Sequence, residues 1–167
     1  MGNNKDSRRA LFRRITGKSA RLVRPPWSPD EDTFLALCSR CNHCVATCES
    51  KIIKIDDDPF PYIDFNSGEC TFCKACVNSC DTGALSLTNP AFLNLEISIE
   101  EGCLANNQTY CQTCQDVCEK EAISFPLQVH SIPKPVLNTE DCTYCGACIP
   151  VCPVQAIEIF PTLNNYK

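Results

Sequence analysis

Cysteine is the residue type that dominates the possible chemistry of this chain. It supplies 16 of the 167 residues, about the 8–10% that marks a chain held together by disulfides or metals. The cysteines form four groups of four, and none is left over. In chain order the groups are Cys38, Cys41, Cys44, Cys48; Cys70, Cys73, Cys76, Cys80; Cys103, Cys111, Cys114, Cys118; and Cys142, Cys145, Cys148, Cys152.

Disulfides, zinc and iron–sulfur clusters compete as explanations of these groups. Disulfides need an oxidising compartment, and we find no export signal. Structural zinc sites usually join two C-x2–4-C pairs across a spacer. Groups one, two and four instead share the run C-x2-C-x2-C-x3-C, which is typical of bacterial [4Fe–4S] loops with one thiolate on each iron. The spacing therefore favours iron–sulfur clusters over zinc and over disulfides.

The natural unit of this pattern is a pair of groups, because in two-cluster ferredoxins the fourth cysteine of one run ligates the other cluster. We therefore predict four [4Fe–4S] clusters, and at least three. Residues 34–92 would form a first dicluster ferredoxin-like module and residues 93–167 a second one.

Short alternating segments indicate the elements that position the cysteines. Period-2 alternation predicts strands at 53–55, 62–65, 85–87, 96–99, 123–125, 135–138 and 157–159. We also expect one short helix directly after each fourth cysteine. The predicted fold class is α+β: tandem bacterial ferredoxin-like modules of short strands and short helices, preceded by a basic N-terminal arm.

Group three departs from the regular run, with the spacing C-x7-C-x2-C-x3-C. The insert 104–110 moves Cys103 away from the compact loop. One interpretation is a longer lid that keeps all four ligands. The other is a labile or three-iron site in which Cys103 is free.

The N-terminal region carries a charge opposite to that of the rest. Residues 1–24 contain eight basic residues and one acidic residue, whereas the remainder contains 7 basic and 19 acidic residues. We assign 1–33 to a basic arm and a Pro-rich linker. The acidic body would repel phosphates, so no nucleic-acid partner is expected. No run of about 18 apolar residues predicts a membrane span.

The arm contains Ser7-Arg8-Arg9-Ala10-Leu11-Phe12, which looks like a twin-arginine export motif. Five basic residues interrupt the apolar region that such a signal requires. We therefore expect a cytoplasmic protein whose arm docks on a partner through Arg8, Arg9, Leu11 and Phe12. No phosphate-binding glycine loop, nucleophile pattern or catalytic carboxylate pair is evident, so we do not expect an enzyme.

Three features together resemble the NapF family, the ferredoxin-type proteins of periplasmic nitrate reductase systems. They are the Ser7-Arg8-Arg9 arm, the Arg24-Pro25-Pro26-Trp27 element followed by acidic residues 30–32, and the irregular group three. The resemblance spans nearly the whole chain. It implies that the cysteines are cluster ligands, with group three the least certain.

The resemblance further implies a cytoplasmic iron–sulfur accessory protein. Such a protein would contact the molybdenum-containing catalytic subunit of the periplasmic nitrate reductase before export. It would assist maturation of that subunit by supplying its cluster or the electrons for assembly. The alternative functions are an electron-transfer polyferredoxin between redox partners and a zinc-bound interaction scaffold.

Overall fold

The computed structural model describes residues 22–162. The helices are short: α1 Glu31–Leu37, α2 His43–Ala46, α3 Ala75–Asn78 and α4 Thr113–Asp116, with a 3-10 turn at Phe65–Ser67. The strands are β1 Ile53–Ile55, β2 Pro61–Ile63, β3 Leu95–Ile99, β4 Ile123–Ser124, β5 Val136–Leu137 and β6 Ile157–Pro161. None of the helices in this range has the length and apolar character that a membrane span requires.

The strands pair as three antiparallel two-stranded sheets, β1 with β2, β3 with β6 and β4 with β5. β1 and β2 connect cysteine groups one and two, with Ile53 opposite Ile63. β4 and β5 connect groups three and four in the same way, with Ile123 opposite Leu137. β3 precedes group three and β6 follows group four, so their pairing brings the two ends of this second pair of groups together. Six of the seven alternating segments thus contain a strand, which confirms these predictions.

The segment 85–87 forms no strand, and that prediction is wrong. The segment that lies beside it in space is Pro25-Pro26-Trp27. The backbone N–H of Ser86 donates to the carbonyl of Trp27 at 3.0 Å. Proline has no N–H to donate, so a partner with two adjacent prolines cannot form a regular ladder.

Residues 22–29, expected to be part of a Pro-rich linker, contribute to the protein core. The side chains of Pro25 and Pro26 are fully buried, and Val23 and Trp27 are 5% and 7% exposed. The backbone of this segment is held by a hydrogen bond from the N–H of Ile63 to the carbonyl of Val23 at 2.7 Å. The basic arm can therefore extend no further than residue 21 without entering the folded body.

The short helices do not follow the fourth cysteines, and this prediction is also wrong. α2, α3 and α4 contain the third cysteines of groups one, two and three, and a turn follows each fourth cysteine. Three positions after each fourth cysteine, the backbone is left-handed, with φ between 51° and 75°, at Lys51, Gly83, Glu121 and Gln155. A left-handed residue ends a helical path, so the chain turns directly towards the next segment.

α1 is a capped helix that delivers the first cysteine. Asp30 accepts a hydrogen bond from the backbone N–H of Thr33 at 3.0 Å, and acidic residues occupy the first turn, where they complement the helix dipole. The helix ends at Cys38, whose N–H donates to the carbonyl of Phe34 at 2.9 Å. Phe34 is 1% exposed and anchors the helix in the core.

Arg24 ties this helix to the segment that follows β1. Its guanidinium lies 2.7 Å from a carboxylate oxygen of Glu31 and 3.1 Å from one of Asp56, and it stacks on the rings of Phe34 and Phe60. Burial alone would lower the pKa of Arg24, but its hydrogen bonds and charge pairing with the two carboxylates raise it. Arg24 thus joins three parts of the first half of the chain.

Replacing Arg24 with alanine should destabilise the protein, because Glu31 and Asp56 would lose their shared counter-ion and two rings would lose a packing partner. We expect the free energy of unfolding to fall by about 2 kcal/mol, measured by denaturant titration of anaerobic, cluster-loaded protein. Arg40→Ala is the matched control, since exposed Arg40 stacks on the outside of the same Phe60 ring at 4.3 Å. Arg40→Ala should lower the free energy of unfolding by about 0.5 kcal/mol. An equal loss of unfolding free energy in the two variants would contradict the central role of Arg24.

Candidate iron–sulfur centres

The fold brings the sixteen thiols together in four sets, and each set takes its fourth member from the other group of a pair. Cys80 lies with Cys38, Cys41 and Cys44 around one cavity. Cys48 lies with the first three cysteines of group two around another. The sets are A, Cys38, Cys41, Cys44, Cys80; B, Cys48, Cys70, Cys73, Cys76; C, Cys103, Cys111, Cys114, Cys152; and D, Cys118, Cys142, Cys145, Cys148.

Three of these sets line cavities. All four thiols of set A line one cavity and all four of set B line another, and the two cavities are equal in volume. The four thiols of set D line a third, larger cavity. The equal size of the first two cavities reflects the matching construction of groups one and two.

The donor chemistry of these cavities suits an iron–sulfur cluster. All sixteen cysteines are free thiols, so none is used in a disulfide. A zinc site would hold four sulfurs about 2.3 Å from a single ion. Among residues 22–162, no three His, Cys, Asp or Glu side chains converge in this way; the thiols of sets A, B and D line cavity walls instead.

A repeated backbone conformation shapes the three regular cysteine loops. In each loop, the residues two and four positions after the first cysteine have left-handed φ values between 54° and 84°. These residues are Arg40 and Asn42, Phe72 and Lys74, and Tyr144 and Gly146. Five of the six carry a side chain, for which this conformation costs about 1–2 kcal/mol. Such strain persists only where the surrounding structure requires it, and here it bends the loop around a cavity.

Backbone N–H groups point at several of the sulfurs. The N–H of Leu85 donates to the sulfur of Cys80 at 3.4 Å, and that of Ala156 to Cys152 at 3.2 Å. Burial alone would raise the pKa of Cys80, but this bond and others from Thr82 and Ala84 together lower it. N–H donors of this kind stabilise a thiolate and would stabilise an anionic cluster.

Burial has the opposite effect on the innermost thiols. It is the largest influence raising the pKa of Cys44, Cys70 and Cys114 to about 11, and that of Cys76 and Cys148 to about 12. Without metal these groups are therefore protonated thiols at neutral pH. Since metal ligands must be thiolates, binding has to displace their protons.

The insert of group three is a folded loop that returns Cys103 to its set. The side-chain amide of Asn107 donates to the carbonyls of Glu101 and Cys103 at 2.7 and 2.9 Å. Ala105, within the insert, has no exposed surface. After burial, the neighbouring thiols Cys103, Cys111 and Cys152 contribute to raising the pKa of Cys114. This geometry favours the interpretation in which all four cysteines of set C are available as ligands.

The remaining predicted site residues cannot be located in the same way. Arg8, Arg9, Leu11 and Phe12 lie outside the residues that the structure describes.

The strained residues of the three regular cysteine loops, by contrast, were missed by sequence reasoning. Gly146 and Asn42 are of residue types that commonly adopt the left-handed conformation, and the other four are not.

Comparison with known proteins agrees with this architecture. The model of the 4Fe-4S dicluster domain matches residues 37–84 and 109–156. The chain is 38% identical over 151 residues to the "Ferredoxin-type protein NapF" of Escherichia coli (strain K12), covering 90% of this chain and 92% of the relative. The chain belongs to the ferredoxin-type NapF family. The family relative from Haemophilus influenzae is 39% identical over 145 residues, 87% of this chain and 80% of the relative.

Similarity extends beyond the NapF family to a second kind of polyferredoxin. A "Methylamine utilization ferredoxin-type protein MauM" from Paracoccus denitrificans is 29% identical over 172 residues, 91% of this chain and 77% of that protein. The two dicluster domains imply up to four [4Fe–4S] clusters in this member of the NapF family. Cys103 lies outside the second matched range, so its membership of set C rests on the loop geometry described above.

The crossed sets can be tested with paired cysteine variants, using iron content as the measurement. Cys41→Ala with Cys80→Ala removes two members of set A, so we expect about 12 of about 16 irons to remain. Cys41→Ala with Cys48→Ala removes one member each from sets A and B. It should leave about 8 irons if both sites are lost, or about 14 if both retain three-iron clusters.

The two double variants serve as controls for each other, because each removes two thiols from the first module. If the cysteines were grouped by sequence instead, Cys41 and Cys48 would share a site and Cys41 and Cys80 would not. Cys41→Ala with Cys48→Ala would then leave about 12 irons in three intact clusters, and Cys41→Ala with Cys80→Ala would leave about 8, or about 14 together with the EPR signal of three-iron clusters.

Proposed function

We propose that the four thiol sets are the ligand sets of four [4Fe–4S] clusters. The observation that carries this proposal is the crossing itself: the fourth cysteine of each group lies with the first three of its partner group. Bound clusters would supply one-electron centres and a store of iron and sulfide. The chain's own contribution is to hold the thiolates in place, direct N–H groups at them and bury the third cysteine of groups one, two and four.

We further propose that the protein is a cytoplasmic, non-enzymatic maturation factor. Its partner would be the catalytic subunit of the periplasmic nitrate reductase before export, to which it would supply a cluster or electrons for assembly. Membership of the NapF family supports this role, as does the basic arm on an acidic body. The net positive charge of residues 1–24 would attract an acidic surface on the partner.

A deletion that tests the docking role has to spare the contacts of residues 23 and 24. Val23 packs in the core and Arg24 forms two ion pairs, so a deletion through residue 24 would damage the fold as well as the arm. A deletion of residues 2–20 leaves these contacts in place. It is therefore the sharper way to separate docking from cluster binding.

Deleting residues 2–20 should abolish binding to the unexported catalytic subunit while leaving about 16 irons per chain. Co-purification from anaerobic extracts and iron analysis would measure the two properties. Arg8→Ala with Arg9→Ala should weaken binding strongly, and Leu11→Ala with Phe12→Ala should do the same if the apolar side is used. Arg8→Lys with Arg9→Lys is the charge-matched control. Undiminished binding by the truncated protein would refute the docking role.

An electron-transfer polyferredoxin is the second candidate function, and one contact favours it. The N–H of Cys70 in set B donates to the carbonyl of Cys145 in set D at 2.8 Å. The two modules therefore meet at cysteines that belong to different cluster sites. A reductase partner could use such an arrangement for electrons even if no cluster is transferred.

A further inference from the structure

The third and fourth cysteines of each group show which sites are neighbours within a module. In the first module, Cys44 of set A and Cys48 of set B lie on one helical turn, where the N–H of Cys48 donates to a carbonyl of that turn at 3.4 Å. In the second module, Cys114 of set C and Cys118 of set D lie on one turn in the same way, where the N–H of Cys118 donates at 3.1 Å. These turns link A to B and C to D.

The two modules meet between sets B and D. The N–H of Cys70 in set B donates to the carbonyl of Cys145 in set D at 2.8 Å. The cavity lined by all four thiols of set D is also lined by Cys70 and Phe72. Open space thus joins set D to the edge of set B, and the order along the molecule is A, B, D, C.

Gly146 is the residue that allows this close junction. Its left-handed backbone does not by itself require glycine, because Asn42 and Lys74 adopt the same conformation at the equivalent positions. A Cβ atom at Gly146, however, would lie 2.1 Å from the ring of Phe65 in the first module. Phe65 is 5% exposed, so its ring has little room to move away. Glycine is needed here for the approach of the two modules.

We propose that the chain is a single relay of four redox sites in the order A, B, D, C, joined across the modules at Cys70 and Cys145 and closed by the packing of Phe65 on Gly146. Each transfer moves one electron from a reduced site to its oxidised neighbour, so one site is oxidised as the next is reduced. Sites A and C are the two ends. This inference rests on the proposed cluster ligands and adds their connectivity.

Magnetic coupling between selected sites tests the order directly. One full-length variant keeps only sites B and D, through alanine at Cys38, Cys41, Cys103 and Cys111. Its matched partner keeps only sites A and C, through alanine at Cys48, Cys73, Cys118 and Cys142. Both are loaded anaerobically to about eight irons, reduced with dithionite and compared by low-temperature EPR.

The variant with sites B and D should give a spectrum broadened and split by spin–spin interaction. The variant with sites A and C should give the simple sum of two isolated centres. Coupling between A and C that equals or exceeds the coupling between B and D would overturn the relay. A spectrum of B and D without any interaction would overturn it as well.

A second comparison uses no cysteine substitution, so it still tests the relay if the cysteine variants bind too little iron. Gly146→Ala places a methyl group against Phe65, whereas Gly83→Ala adds one at a left-handed residue with nothing within 4 Å. We expect Gly83→Ala to keep the wild-type EPR spectrum of the reduced protein. Gly146→Ala should lose the interaction between B and D, and adding Phe65→Ala should restore it. Identical spectra for the two glycine variants, or no restoration, would refute the junction.

The two proposals fail in different ways. Iron-free wild-type protein would defeat the cluster assignment together with the relay. About 16 irons per chain with coupling in a different order would defeat the relay alone and leave the cluster assignment standing.

Discussion

The structure depends on one constraint: every thiol set is completed by a cysteine from another group. Cys48 is the fourth cysteine of group one but lies with set B, and Cys80 is the fourth cysteine of group two but lies with set A. Neither half of a module can complete a site alone, so β1 and β2 have to pair before either cavity is closed. Because unfilled cavities lined with buried thiols add little stability, folding and cluster binding are expected to be coupled, as in other small metal domains.

A second constraint is the need to place polar backbone around an anionic group inside a small protein. The regular loops satisfy this need with paired left-handed residues, most of which carry side chains that disfavour this conformation. The N–H donors to Cys80 and Cys152 serve the same end. The result is a core in which hydrophobic side chains such as Ile52 and Ile123 surround the cysteine loops and do not form a separate apolar centre.

The two modules share a plan and differ at their edges. The second is closed by the regular pairing of β3 with β6, whereas the corresponding position in the first is taken by the Pro25-Pro26-Trp27 segment. Two prolines remove the donors that a ladder would need, but their rings fill the core. The segment that precedes α1 is thereby fixed in place.

Local information in the sequence determined the cluster type, the pairing of the groups and six of the seven strands. Cysteine spacing and period-2 alternation are properties of a few consecutive residues, so no distant contact was needed to infer them. Tertiary structure alone decided that the helices lie before the fourth cysteines, that 85–87 forms no strand, that 22–29 belongs to the core and that the insert returns Cys103 to set C. It also decided the order of the four sites, because that order rests on contacts such as Cys70 with Cys145 and Phe65 with Gly146. Those residues are some 75 to 80 positions apart in the sequence, and only the packing of one module against the other brings them together.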